Sequence, residues 1–250
     1  MNDYIESIYK SGKVTGQSGK EHPLHSEIDP AEGRFLSDLI AGDPTVTSTL
    51  EVGCAYGMSS LHICHTLRVR MNPRHTIIDP FQFTQWDGVG IRNLEQSGIG
   101  FFNLIQKKSE FAMPELLAEG EGRFDLVFVD GWHTFDHTLL DCFYATRLLR
   151  VGGYLVIDDV TIPPVRRAVE YFSAYPCYKE HAALKTKFNP PSWKRRAMQL
   201  MLACLPKSRR SNWLHPSLNH RIFNEHLTHM VALKKIGPDG RDWKWFPAKF

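Results

Sequence analysis

The chain has 250 residues, of which 42% are hydrophobic, and a net charge of +3 with histidine neutral. This suits one large domain, or one domain with an insertion, and is too little charge to argue for nucleic acid as a partner. Its five cysteines are odd in number, scattered and never spaced C-x-x-C, which fits reduced thiols in a cytoplasmic protein better than a disulfide framework or a zinc knuckle.

Residues 1–48 are expected to form an N-terminal helical lid segment. They are polar at first, without the basic-then-apolar order of a signal peptide, and a helix is predicted over 30–41. Asp29-Pro30 marks its start, an N-cap followed by proline at the first helical position. Strand-like runs follow at 49–52, 76–78, 103–105, 126–129 and 154–157. Helix-compatible stretches separate them at 59–70, 90–96, 114–118 and 136–150, the last carrying Leu139, Leu140, Phe143, Tyr144 and Leu148 on one stripe. Strands alternating with helices predict an α/β core over 49–186, with a largely parallel sheet and helices on both faces. A helix over 165–173 and a sixth strand over 178–186 complete it.

Residues 187–226 read as a basic helical insertion. They are punctuated by proline and contain an amphipathic piece over 193–205; from Lys185 to Arg210 there are basic residues and no acid. Residues 227–250 are expected to supply C-terminal strands, 229–235 and 242–246, closing the sheet edge around a Gly237-Pro238-Asp239-Gly240 turn. No apolar run approaches the ~20 residues that span a bilayer.

The most informative stretch runs from Phe124 to Val160. The apolar run Leu126-Val127-Phe128-Val129 stops at Asp130, and Tyr154-Leu155-Val156-Ile157 stops at Asp158-Asp159. Runs without polar alternation read as parallel strands buried on both faces, and such sheets bind ligands at their carboxyl ends. Neighbouring strands lie ~4.8 Å apart, so Asp130, Asp158 and Asp159 would crowd together and repel unless a cation sits among them.

The first strand leads into Glu51-Val52-Gly53-Cys54-Ala55-Tyr56-Gly57-Met58-Ser59. A pyrophosphate-gripping G-x-G-x-x-G would need glycine where Ala55 stands, and the acid ahead of the loop favours a positively charged ligand instead. The second strand ends at Asp79, where folds of this class bind ribose hydroxyls. Ser109-Glu110 follows the third. A ribose, a cationic end and no phosphate describe S-adenosylmethionine.

With these motifs the sequence resembles the class I S-adenosylmethionine-dependent methyltransferases over roughly residues 25–165. It is most similar to their metal-dependent O-methyltransferases, of the macrocin and mycinamicin sugar type and the catechol type. The resemblance implies a Rossmann-like methyltransferase fold with a mostly parallel seven-stranded sheet. It implies that Glu51, Gly53, Ala55, Tyr56, Gly57 and Ser59 hold the methionine part, Asp79 the ribose, and Ser109 and Glu110 the adenine, with Asp130 beside the cofactor. It further implies Mg²⁺ ligated by Asp130, Asp158 and Asp159, and His133 as catalytic base where the catechol type has lysine. Asp159, where the catechol type has asparagine, and His133 both point away from catechols.

The expected reaction moves a methyl group to a hydroxyl of a small molecule, a sugar or natural-product intermediate. Mg²⁺ would acidify the hydroxyl and His133 would take its proton. Phe81, Trp86 and Trp132 lie on loops at the same rim. Two alternatives stand beside this reading: a methyltransferase that needs no metal, and a cofactor-binding protein that docks a partner. Self-association into a homo-oligomer is left open. Blander assignments are that Gly53 and Gly57 serve packing, that His133 caps a helix, that His62, His65, His220, His226 and His229 are surface or core residues, and that Phe188-Asn189-Pro190-Pro191 is a turn.

Overall fold

The computed structural model describes residues 3–25, 28–187 and 226–247, with helical positions 193, 197, 200 and 201. Most of the expected insertion, including Phe188-Asn189-Pro190-Pro191, lies outside these residues. The chain begins with α1 (Asp3–Ser11), β1 (Lys13–Thr15), β2 (Glu21–Pro23), α2 (Pro30–Gly42) and β3 (Ser48–Val52). Then come α3 (Met58–Leu67), β4 (Arg74–Ile78), α4 (Val89–Gln96), β5 (Phe102–Ile105), α5 (Ser109–Ala118) and β6 (Phe124–Val129). It ends with α6 (Phe135–Leu148), β7 (Leu149–Ile157), α7 (Pro163–Ser173), β8 (Tyr178–Lys187) and β9 (His226–Lys235).

Seven strands form one sheet in the order β5-β4-β3-β6-β7-β9-β8, and β1-β2 is a separate hairpin. The first five pair in parallel, whereas β9 runs antiparallel to both β7 and β8. All of β3 is buried, because helices cover both faces of this central strand. The period of two then sorts β6: Leu126 and Phe128 join a core with α1 to α4, while Val127 and Val129 join a core with α5 to α7. This is the expected α/β, mostly parallel, Rossmann-like sheet. Among the described residues no helix is long and apolar enough to cross a membrane.

The start of α2 follows its sequence signals. Asp29 Oδ1 accepts the N–H groups of Ala31 (2.6 Å) and Glu32 (2.9 Å), and Glu32 Oε2 accepts that of Asp29 (2.6 Å). Elsewhere the structure departs from expectation. The N-terminal segment holds α1 and a hairpin as well as α2. Strand β7 begins at Leu149, with Gly152-Gly153 in a bulge inside it, since the pairing jumps from Phe124–Leu149 to Leu126–Tyr154. Strand β9 does not close the edge but inserts between β7 and β8.

The strand expected over 242–246 is a turn, which corrects the reading of 227–250 as several strands. Asp242 supplies its carbonyl to the N–H of Trp245 (3.2 Å) and its Oδ1 to that of Lys244 (3.0 Å), an Asx-type closure that competes with strand pairing. The Arg241 guanidinium lies 3.3 Å from the Tyr175 ring centroid and 4.9 Å from that of Trp245, pinning the turn to the end of α7.

Candidate active site

Register places the site. Val52 pairs with Ile78 on one side and Val129 on the other, and Val129 pairs with Ile157. The first residue past each strand, Gly53, Asp79, Asp130 and Asp158, therefore falls on one row across the sheet. Backbone bonds extend the row: Gly53 N–H to the Ile78 carbonyl (2.9 Å), Asp130 N–H to Val52 (2.9 Å), and Asp158 N–H to Val129 (3.1 Å). The connections reverse direction between β3 and β6, which opens a crevice there. A cavity of about 730 Å³ occupies it, the size of a cofactor site.

Both loop glycines are demanded by packing. Gly53 has φ 88° and a Cβ on it would stand 2.0 Å from the Asp130 carbonyl oxygen; Gly57 has φ 76° and its Cβ would meet Gly90 Cα at 2.8 Å. Of the loop, Val52, Gly53, Cys54, Ala55, Met58 and Ser59 line the cavity, whereas Glu51, Tyr56 and Gly57 do not. Glu51 is fully buried, with Ser60 Oγ donating to its Oε2 and His75 Nε2 at 2.9 Å from the same atom. His75 Nδ1 in turn meets Thr49 Oγ1 at 2.8 Å. The Tyr56 hydroxyl lies 3.0 Å from His25 Nε2, and its ring packs edge-on against Trp86 at 5.3 Å.

Asp79 stitches this loop to the next. Its Oδ2 accepts the N–H groups of Cys54 (3.2 Å) and Ala55 (3.0 Å) and the amide of Gln82 (2.9 Å), and its Oδ1 accepts the N–H of Phe81 (2.7 Å). Each carboxylate oxygen has about two lone-pair sites and Oδ1 accepts a single bond, so one remains on Oδ1 for a ligand hydroxyl. At the neighbouring strand end Lys108, Ser109 and Glu110 line the cavity as α5 begins. Asp141, which sequence reasoning passed over, is buried behind them. Burial pushes its carboxyl up to about 6, with the nearby Ser109 opposing the shift. Gly131 leaves room for it, since a Cβ there would lie 3.1 Å from Asp141 Oδ2.

The expected cluster of three aspartates divides in two. His133 Nε2 lies 3.0 Å from Asp130 Oδ1 and 3.3 Å from Asp159 Oδ2, so those two acids converge on one point with the imidazole between them. Asp158 instead groups with Glu32 of α2 and His229 of β9. His229 Nδ1 is in contact with Glu32 Oε1 and 3.8 Å from Asp158 Oδ1. This corrects the placement of His229 among surface or core residues, and neither partner carries a motif in sequence. His133 is not a helix cap, because Thr134 caps α6 and pairs its hydroxyl with His137 Nδ1 at 2.7 Å.

The electrostatics follow the grouping. Burial pushes the Asp158 carboxyl up to about 7, opposed by the nearby His229 imidazole, and raises Asp130 against the hydrogen bond from His133. His133 is raised by its bond to Asp130, and His229 is pushed up to about 10 by the Asp158 and Glu32 carboxylates beside it. His133 and Asp159 have φ 57° and 54°, left-handed values that side chains adopt at a cost when a site requires them. Phe81, Trp86 and Trp132 line the cavity as expected, with the Phe81 and Trp132 rings 6.1 Å apart.

Residues 50–160 match the family described as Methyltransferase domain. No curated protein matches the chain. Among solved structures, the O-methyltransferase from Bacillus cereus in complex with SAH is 16% identical with a TM-score of 0.64, over 94% of this chain and 92% of that one. The O-methyltransferase TomG from Streptomyces achromogenes, involved in tomaymycin synthesis and bound to SAM, is 17% identical with a TM-score of 0.59, over 75% and 84%. A putative caffeoyl-CoA O-methyltransferase from Staphylococcus aureus is 16% identical with a TM-score of 0.56, over 72% and 87%. The chain has the Rossmann-like methyltransferase fold.

Proposed function

We propose that the protein is an S-adenosylmethionine-dependent O-methyltransferase that transfers a methyl group to a hydroxyl of a small molecule, a sugar or natural-product intermediate. The observation that carries this reading is the convergence of Asp130, His133 and Asp159 in one cavity, on the strand-end row that also holds Gly53 and Asp79. The two ligand-bound O-methyltransferases of like fold support it.

The residues fit both groups the reading needs. Gly53, Ala55, Ser59, Asp79, Ser109, Glu110 and Asp130 line a cavity roomy enough for a nucleoside cofactor, with an acid at the ribose end and acids at the sulfonium end. Glu51, Tyr56 and Gly57 lie outside that lining and shape the loop. When bound, S-adenosylmethionine supplies an electrophilic methyl. Asp130 and Asp159 direct carboxylate oxygens at a common point with Asp158 on the same wall, a donor set suited to Mg²⁺, which would lower the pKa of the acceptor hydroxyl. His133 takes the proton on the ring nitrogen that Asp130 leaves free, Asp130 orients the imidazole through Nε2, and Phe81 and Trp132 exclude water from the acceptor.

A second reading has its own support. His133 Nε2 already stands between Asp130 and Asp159, where an imidazolium balances two carboxylates without a metal ion. Calorimetric titration with S-adenosylmethionine, with and without Mg²⁺, followed by transfer assays on hydroxylated acceptors, tests both. Failure to bind the cofactor in either condition would end the proposal. Transfer that survives chelation would leave the metal-free form.

A further inference from the structure

Glu32 and His229 come from opposite ends of the chain and meet at Asp158. Glu32 is 4% exposed, and its two oxygens do different jobs: Oε2 accepts the Asp29 N–H that starts α2, and Oε1 contacts His229 Nδ1. His229 sits on β9, and its carbonyl accepts the N–H of Val160 at 2.9 Å, so β9 grips the 158–160 turn by backbone as well as side chain. Asp158 Oδ1 then accepts the N–H of its neighbour Asp159 at 2.8 Å. That bond fixes the left-handed backbone at Asp159, φ 54°, and the left-handed turn aims Asp159 Oδ2 to 3.3 Å from His133 Nε2. The contacts therefore form one connected series: Glu32, His229, Asp158, the Asp159 amide, and finally the Asp159 carboxylate facing Asp130.

We infer that Glu32 and His229 are positioning residues: they hold Asp158, and through it the turn of Asp159, so that the carboxylates present a preformed divalent-cation site. The inference rests on the cation reading proposed above. Neither residue needs to touch the ion. Outer partners of this kind orient ligands, and removing one typically costs about 10- to 100-fold in metal affinity. The N-terminal segment thereby becomes part of the site, since α2 supplies the anchor for an acid at the end of β7.

The test uses the full chain and Mn²⁺ as an EPR-visible stand-in for Mg²⁺, with S-adenosylhomocysteine binding measured in parallel as a report on the fold. His229→Asn keeps an N–H donor where Nδ1 stands, and His229→Ala removes it. Glu32→Gln has one acceptor and one donor, so it can cap α2 or accept from His229 but not both. We expect Mn²⁺ affinity to fall at least about tenfold in His229→Ala and Glu32→Gln and to stay within about threefold in His229→Asn, with S-adenosylhomocysteine affinity unchanged. Wild-type Mn²⁺ affinity in His229→Ala overturns the inference, and so does a loss in His229→Asn as large as in His229→Ala. Equal loss of both ligands in His229→Asn would reduce the pair to a folding role and overturn it too. No Mn²⁺ binding by the wild-type protein is a different result, which removes the cation reading itself.

Discussion

A Cβ on Gly53 would stand 2.0 Å from the carbonyl oxygen of Asp130, so the glycine loop and the acidic loop touch backbone to backbone. The contact ties the end of β3 to the end of β6, and φ 88° at Gly53 makes it possible. Gly53→Ala is expected to destabilise the protein by roughly 2–5 kcal/mol, combining the left-handed penalty with overpacking. An unchanged denaturant midpoint would show that the loops can part without cost.

Asp79 accepts four N–H donors, three of them on Oδ2. Asp79→Asn puts an NH₂ group against donors whichever way the amide turns. S-adenosylhomocysteine affinity should fall at least about tenfold, with roughly 1–3 kcal/mol of stability lost to unsatisfied groups. Wild-type affinity by calorimetry would remove Asp79 from the ribose end.

His133 is the proposed base. His133→Ala should lower turnover about 10²- to 10⁴-fold and leave cofactor affinity within about twofold. The bond to Asp130 raises the imidazole above 6.5, so the neutral base forms as pH rises through that higher value. Turnover should climb on the alkaline side of pH 6.5 in the wild type and lose that limb in the variant. A flat profile for both would assign the proton to another group.

Chelation separates the two readings of the acids. With Mg²⁺ required, EDTA abolishes transfer, added Mg²⁺ restores it, and Asp159→Asn shows no response to either. Full transfer in EDTA would leave the His133 imidazolium as the charge between Asp130 and Asp159.

His62 gives stability a pH dependence remote from the acids. It is 3% exposed under α2, where a Cβ on Gly33 would lie 2.2 Å from its Nε2, and burial lowers its imidazole to about 4. The unfolded chain binds a proton near pH 6.5 and the folded one near 4, so stability falls as pH drops through that window. The loss is roughly 3 kcal/mol at about 1.36 per pH unit. Between pH 7 and pH 4.5, chemical denaturation should show the wild type losing roughly 3 kcal/mol relative to His62→Gln, the buried carboxyls being common to both. Parallel losses in the two proteins would place the effect elsewhere.

The fold was legible where one strand declares itself alone. Leu126 to Val129 and Tyr154 to Ile157 are apolar runs ended by acids, and burial on both faces leaves that mark in sequence. The position of β9 was not legible, because slipping between β7 and β8 depends on partners distant in the chain rather than on local pattern. Within the site, Asp79, Asp130 and Asp159 showed as acids following apolar runs. Glu32 stands in a predicted helix and His229 in a predicted strand, each one polar residue among others. Their meeting is tertiary, and no spacing records it. The turn at Asp242 was misread because alternating tryptophans resemble a strand, while the Asx closure and the Arg241 stacking decide the outcome.

Because β9 runs against its neighbours, the end of β8 at Lys187 and the start of β9 at His226 both lie beyond the same edge of the sheet as Asp130 and Asp158. Whatever joins them leaves and re-enters the domain at the rim of the crevice, while the paired strands close the ladder beneath. A change of length or charge in that connection falls outside the ladder that keeps Gly53, Asp79, Asp130 and Asp158 on one row.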